Sequence, residues 1–303
     1  MDLLAAFRTF IRIAETGSFS AVAREVGATQ PAISRQIAAL EEHLGARLLQ
    51  RSTRSLRLTE DGADLLTHAR LVVDAVDQTE QAIGRRRDQA AGLVRLGSPT
   101  VFGRLYVAPH IGLLLERHPQ LSVELLMTDD VVDMVQAGLD LAIRVGEVND
   151  AGLVARRVGS TVAMAVAAPD YLARHGEPAQ PQDLAGHECI IFTRGVSPEQ
   201  WQFSGADGVV PVPVSGRLRA NSIEAVMEAA IAGVGIALLP TWMVGDTLRQ
   251  GQLRAILQAW QPKRRPISLV YPSRRFLAPR TRAVIDFMVD EFRLDPVISA
   301  YGA

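Results

Sequence analysis

The stretch Ser18-Phe19-Ser20-Ala21-Val22-Ala23-Arg24-Glu25-Val26-Gly27-Ala28-Thr29-Gln30-Pro31-Ala32-Ile33-Ser34-Arg35-Gln36-Ile37 decides the reading of this chain. Two short helical patterns flank a turn at Gly27, and the second carries its own start signals. Thr29 is an N-cap by type, and Pro31 falls in the first turn, where a missing N–H costs nothing. Ser18 or Ser20 caps the first helix, with Ala21, Val22 and Val26 turned inward. Ile33, Ile37, Leu40 and Leu44 form one apolar stripe on the second. At about 100° per residue, Pro31, Arg35, Ala38 and Glu42 lie opposite that stripe, flanked by Gln30 and Ser34. The pattern is that of a helix-turn-helix, which sets its second helix in the major groove of DNA.

Upstream, Leu3, Leu4, Phe7, Phe10, Ile11 and Ala14 predict an amphipathic helix over 2–15, ended by Gly17. Downstream, Leu49 and Leu58 anchor two short strands around a Ser52-Thr53 turn. Arg47, Arg51, Arg54 and Arg57 lie there with no acidic residue between them. Such a run is either a solvated basic hairpin or a wing that grips phosphates, and the adjoining helix pair favours the wing. Thr59-Glu60-Asp61-Gly62 then opens a long helix, with a cap and two acids in its first turn. Leu66, Ala69, Val73, Val76 and Ile83, widened by Leu65 and Val72, form a narrow stripe suited to a two-helix dimer contact. Gly84-Arg85-Arg86-Arg87-Asp88 closes that helix, and residues 89–92 make a hinge. The expected organisation is 1–60 winged helix-turn-helix, 61–91 linker helix and hinge, and 92–303 regulatory domain.

Beyond Gly92 the chain changes character. Leu93–Gly97, Leu121–Met127 and Asp140–Val145 read as strands. A helix runs from Ser98-Pro99-Thr100 to about His118, and another from Asp129 or Asp130 to Gly138. A second series follows: strand Val162–Ala168, helix Pro169–His175, strand Cys189–Phe192, helix Ser222–Ala232, strand Gly235–Leu239 and helix Pro240–Leu248. Strand Ile267–Tyr271 and helix Arg280–Phe292 end it. This alternation predicts an α/β domain with a parallel sheet.

Hydrophobic residues make up 48% and charged residues 21% of the 303, at a net charge of -1. Those values describe an ordinary globular chain whose basic face is local rather than global. The one cysteine, Cys189, sits in an apolar run and reads as a small buried hydrophobe. The N-terminus lacks the marks of a secretory signal, and the apolar stretch Ala229–Pro240 is too short to span a bilayer, so the expected location is cytoplasmic, with no membrane partner. The six histidines lack metal-ligand spacing, and no nucleophile elbow, phosphate loop or Cys-x-x-Cys is present. No enzymatic activity, metal or cofactor is expected, and Trp201, Trp242 and Trp260 read as packing residues.

Phe7 through Gly62 resembles the DNA-binding region of the LysR-type transcriptional regulators. The likeness rests on Gly17–Ser20, Thr29–Ile37, Leu40-Glu41, Gly45–Arg51 and Leu58–Gly62, and it continues more loosely to Gly233-Val234-Gly235-Ile236-Ala237-Leu238-Leu239-Pro240. The resemblance implies a winged helix-turn-helix, a linker-helix homodimer through 61–88, often a homotetramer, and a periplasmic-binding-protein-like effector domain. In that domain, subdomain one would hold 92–163 and 267–303, and subdomain two 164–266. Gly205–Gly208 with Pro211 and Pro213 fit a surface hairpin there. The implied partners are a pseudo-palindromic double-stranded operator, a small-molecule effector and, for an activator, RNA polymerase.

Candidate DNA contacts are Ser18, Ser20, Thr29, Gln30, Pro31, Ser34, Arg35, Arg47, Arg51, Ser52, Thr53 and Arg54. Ligands of open α/β sheets bind at the carboxyl ends of strands. That rule selects Ser98, Pro99, Thr100, Thr128, Arg144, Val145 and Gly146 from subdomain one, and Phe192, Thr193, Asn221 and Ser222 from subdomain two. Ser98 and Thr128 equally suit plain helix caps, and Arg144 equally suits an ion pair with Asp129 or Asp140. Two rivals stand beside this reading. One is a solute-binding or enzymatic α/β domain with a vestigial helix-turn-helix; the other is an effector-independent regulator whose cleft is closed by its own side chains.

Overall fold

The computed structural model describes residues 1–51, 56–83, 90–194, 199–205, 208–260, 262–273 and 277–299, with the backbone alone for Arg51, Asp74, residues 77–83 and Ser299. The chain forms two compact units. The first runs from Met1 to Gln89 and includes Val135–Gly138; the second holds Ala90–Met134 and everything from Leu139 onward.

The first unit begins with α1 (Leu3–Thr16), α2 (Phe19–Glu25) and α3 (Gln30–Leu44). Asp2 accepts from the Ala5 N–H at 3.0 Å to start α1. Gly17, at φ +63°, ends it in the left-handed conformation that glycine adopts freely. Phe10, Ile13, Val22, Ile37 and Leu40 are fully buried where the three helices meet. Val26 and Leu44, expected inside, are 52% and 41% exposed. Both lie at helix ends, α2 stopping at Glu25 and α3 at Leu44, where the apolar face runs past the core.

The wing follows as β1 (Leu49–Arg51) and β2 (Leu56–Leu58), antiparallel, with Leu49 opposite Leu58. The long helix α4 covers Glu60–Ile83. Its apolar stripe packs into the winged unit's own core. Ala69 is fully buried in the winged unit's own core, and Leu65, Leu66 and Val73 pack against it, so the first half of the expected dimer seam is committed internally. Val72 is exposed. The side chain of Ile83, the closing run 84–88 and Gln89 of the expected hinge 89–92 lie outside the described residues.

The second unit is built on a five-stranded sheet. Its elements begin with β3 (Gly92–Ser98) and a helical run made of α5 (Thr100–Phe102), a π segment (Gly103–Val107) and α6 (Ala108–Arg117). β4 (Leu121–Met127), β5 (Leu141–Val145) and β6 (Leu153–Thr161) follow. The chain continues with β7 (Ala163–Ala167), α7 (Pro169–His175), β8 (Ile191–Phe192), β9 (Gln200–Gly205), β10 (Gly208–Pro213) and β11 (Arg219–Ala220). Then come α8 (Ile223–Ile231), β12 (Ala237–Pro240), α9 (Thr241–Arg249), β13 (Arg254–Ile256), β14 (Arg265–Pro272), α10 (Pro279–Leu294) and α11 (Pro296–Ser299).

The large sheet has the order β4-β3-β5-β14-β6. β3 runs parallel to β4 and β5, whereas β14 is antiparallel to both β5 and β6. The expected all-parallel sheet is therefore mixed. β14 is the return strand, and it re-enters from the end by which β6 leaves. A smaller sheet, β12-β7-β13, is wholly antiparallel. β8 and β11 pair in parallel. At the landmark Gly235, a Cβ would stand 2.3 Å from the Glu188 carbonyl oxygen, so only glycine lets the two segments approach. The segment after β4, expected to be a helix to Gly138, consists of turns. Asp129, its presumed cap, spends its carboxylate elsewhere, as described below.

One apolar cluster joins Leu96, Phe102 and Ile267 to Val226, Leu239 and Trp242, and a second gathers Tyr171, Trp201 and Phe203. Phe102 meets Trp242 edge-on at 5.3 Å. The Tyr106 hydroxyl donates to the Trp242 carbonyl at 2.9 Å, and burial pushes its pKa up to about 12. Cys189 is buried, and burial raises its thiol to about 12, which keeps it unreactive near neutrality.

Candidate nucleic-acid interface and effector cleft

Pro31 has no N–H to offer, and the Ala32 N–H turns to the Thr29 carbonyl at 3.0 Å. Thr29 thus holds the cap position of α3 without a side-chain capping bond, contrary to expectation. Its hydroxyl stays at the exposed start of the helix, beside N–H groups that suit a phosphate. Ser18 is the cap of α2, accepting from Ala21 N–H at 3.2 Å. Ser20 instead donates to Gln30 Oε1 at 3.1 Å, tying the two helices together at their exposed end. Gln30, Pro31 and Arg35 are exposed and Ser34 half-buried, over the buried stripe Ile33, Ile37 and Leu40.

The helices are held in register by charge. Arg12 in α1 makes a two-pronged contact with Glu25 of α2, both bonds at 2.8 Å, and meets Glu15 at 2.7 Å. Arg70 of α4 reaches Glu15 at 3.2 Å. The Arg12 guanidinium holds the Glu25 carboxyl below its ordinary range. On the other side of α3, Glu41 accepts from the Leu48 and Leu49 N–H groups at 2.8 and 3.3 Å, fixing the base of the wing. Thr59 caps α4 by accepting from Gly62 N–H at 2.9 Å while donating to the Arg47 carbonyl at 2.6 Å. Arg47 is exposed at that base. The Arg51 side chain and Ser52, Thr53 and Arg54 lie outside the described residues.

In the second unit, Asp129 is the centre of the candidate cleft. One carboxylate oxygen accepts from Thr100 N–H at 2.9 Å, at the start of the helical run to Arg117. The other accepts from Ile223 N–H at 3.4 Å, at the start of α8. Two helix starts thus share one negative charge, which both helix dipoles favour. Arg194 meets Asp130 at 2.7 Å and Arg104 meets Glu224 at 3.1 Å around the same seam.

The expected cleft residues divide into two groups. Thr100, Thr128 and Ser222 gather near Asp129: Thr128 Oγ1 accepts from Asp130 N–H, and Ser222 caps α8. Thr193 bonds the Ala220 carbonyl beside exposed Asn221, and Phe192 packs on the core. Ser98 is buried and donates to its neighbour, the Pro99 carbonyl, so it caps no helix. Arg144 pairs with neither Asp129 nor Asp140; its guanidinium donates to the Val132 carbonyl, and burial lowers its pKa. Val145 is paired in the sheet and the Gly146 N–H donates to the Pro266 carbonyl, with no contact to this group among the described residues. Asp129 is the residue of this candidate cleft that sequence reasoning left out of the site. The Asp129-Asp130 pair at the end of β4 was its signal, masked by its fitness as an ordinary helix cap.

Two family patterns match the chain. Residues 4–63 match the bacterial regulatory helix-turn-helix protein of the lysR family, and residues 87–293 match the LysR substrate binding domain. The chain belongs to the LysR family of transcriptional regulators. An uncharacterized regulator of this helix-turn-helix type from Haemophilus influenzae is 32% identical over 277 residues, covering 91% of this chain and 96% of its own. The LysR-type regulator CrgA of Neisseria meningitidis is 32% identical over 283 residues, with 93% and 94% covered. Its solved structure superposes with a TM-score of 0.61 at 31% identity, over 95% of this chain and 98% of that one. The full-length Vibrio cholerae virulence activator AphB gives 0.60 at 28% identity, over 96% and 99%. As a LysR-type regulator, the chain joins a DNA-binding helix-turn-helix to a domain of the substrate-binding type. Among the described residues no helix is long and apolar enough to cross a membrane.

Proposed function

We propose that this regulator binds a pseudo-palindromic operator as a homodimer of winged units, paired through 61–88 and assembled further into a tetramer, in the bacterial cytoplasm. Gln30, Ser34 and Arg35 read base edges, Thr29, Ser18 and Ser20 approach the backbone, and Arg47, Arg51, Ser52, Thr53 and Arg54 hold phosphates or reach into the minor groove. The observation that carries this is the start of α3, where Gln30, Pro31 and Arg35 stand exposed on a helix whose opposite face is sealed. A mobility-shift assay with the DNA upstream of its own gene tests it. A salt-sensitive, sequence-selective complex is expected, and retention equal to that of scrambled duplex removes the reading.

The regulatory domain, with subdomain one at 92–163 and 267–303 and subdomain two at 164–266, takes a small-molecule effector between the helix starts of α5 and α8. Its binding shifts the populations of open and closed subdomains and so the spacing of the DNA-binding pairs, with RNA polymerase recruited where the outcome is activation. The Asp129 contacts favour a specific form of this reading. The closed arrangement is already satisfied by the chain's own carboxylate, so an anionic effector competes with Asp129 for the same N–H groups.

A further inference from the structure

Beside the cleft, and built from other strands, lies a depression of about 430 Å³ lined by Gly146, Glu147, Arg157, Lys263, Arg264 and Ser268 among others. Its floor lies where β14 pairs with β6, with Ser268 opposite Arg157 in register. Its rim is the segment just before β14, which carries Lys263, the only lysine of the chain. Ser268 is only 4% exposed and borders this depression. Arg157 directs its Nε to the Gly159 carbonyl at 3.3 Å, leaving the rest of an exposed guanidinium toward the same space.

Arg157 and Lys263 line it beside the single carboxylate of Glu147, so the site has a local basic side in a chain of net charge -1. We propose that this depression binds a small, multiply charged oxyanion, with the Ser268 hydroxyl donating to one oxygen and Arg157 and Lys263 holding the others. Charge-assisted bonds of this kind are the stronger class, and a planar guanidinium matches an oxyanion's geometry. The site touches the Gly146 end of β5, strand β6 and the segment that re-enters as β14. A ligand there bridges the outgoing and returning connections between the two subdomains, at a place that Asp129 does not occupy.

Calorimetric titration of the full-length protein with inorganic phosphate and, separately, with citrate tests this, at constant ionic strength set by chloride. Saturable binding of at least one is expected, weakened about tenfold by Ser268→Ala, the loss of one charge-assisted hydrogen bond. Lys263→Ala, at an exposed position, is expected to weaken it severalfold without changing the melting temperature. Asp129→Asn, which alters the cleft, is expected to leave this affinity unchanged. Binding indistinguishable from chloride, affinity insensitive to both Ser268→Ala and Lys263→Ala, or affinity that follows Asp129→Asn instead would each overturn the assignment.

Discussion

The start of α3 and the start of α8 are both helix ends rich in polar groups, but they are treated in opposite ways. At α3 the cap hydroxyl of Thr29 makes no capping bond and Gln30 and Arg35 face solvent. At α8 Ser222 caps the helix and Asp129 is drawn in from β4 to meet the Ile223 N–H. The winged unit is a finished surface awaiting a partner, with its angles set by Arg12, Glu25 and Glu41. The regulatory unit spends the N–H groups of two helix starts on its own carboxylate. In the reading proposed above, affinity at the first site would be limited by contacts with DNA, and at the second by competition with Asp129.

Four experiments sharpen or break that contrast. Gly62→Ala is expected to have the largest effect, because its Cβ would lie 2.1 Å from the Leu48 carbonyl oxygen. The wing has to shift, at about 3 kcal/mol. A urea melt matching the parent would show that the base of the wing is more pliant than its contacts imply. Arg35→Ala is expected to remove about 2 kcal/mol of operator affinity, roughly thirtyfold, and to relax preference at one base pair. Unchanged preference in a binding-site selection would move base reading away from α3.

Asp129→Asn keeps the shape and removes the charge, for an expected loss of about 1 kcal/mol. Hydrogen exchange should quicken at the Thr100 and Ile223 amides, and protection equal to the parent's would mean that the carboxylate is not what closes the seam. The smallest effect is a pH dependence. The folded-state pKa of Glu25 is lowered, first by its hydrogen bond to Arg12, so its contribution is complete above the ordinary 4.5 and fades as pH falls below it. Glu25→Gln should flatten that part of an acid-stability curve. An identical acid limb in the variant would assign the effect to other carboxylates.

The winged unit was the more legible half, because its signals are local. Ser18, Gly17 and the Ile33–Leu40 stripe each act within a few residues of where they stand, and Thr59 caps the turn that follows it. In the regulatory unit the deciding partners are distant. Nothing near Asp129 announces that its carboxylate serves Thr100 and Ile223, so the turn segment reads as a helix with a good cap. β6 was missed because an edge strand carries polar residues such as Arg156 and Arg157 on its faces, which hides the apolar alternation. The direction of β14 cannot be read from its own residues, since it depends on where the chain comes back from. β11 and β13, of two and three residues, are too short to show a period.

Thr59 bonds both the wing and the first turn of α4, and its own N–H donates to the Leu48 carbonyl at 3.1 Å. Three bonds through one residue leave no joint between the arginine-bearing hairpin and the long helix. The pair therefore resembles a crank: a twist of α4 turns the base of the wing with it. Bending DNA, read in the reverse direction, would be felt along α4 as a change of tilt.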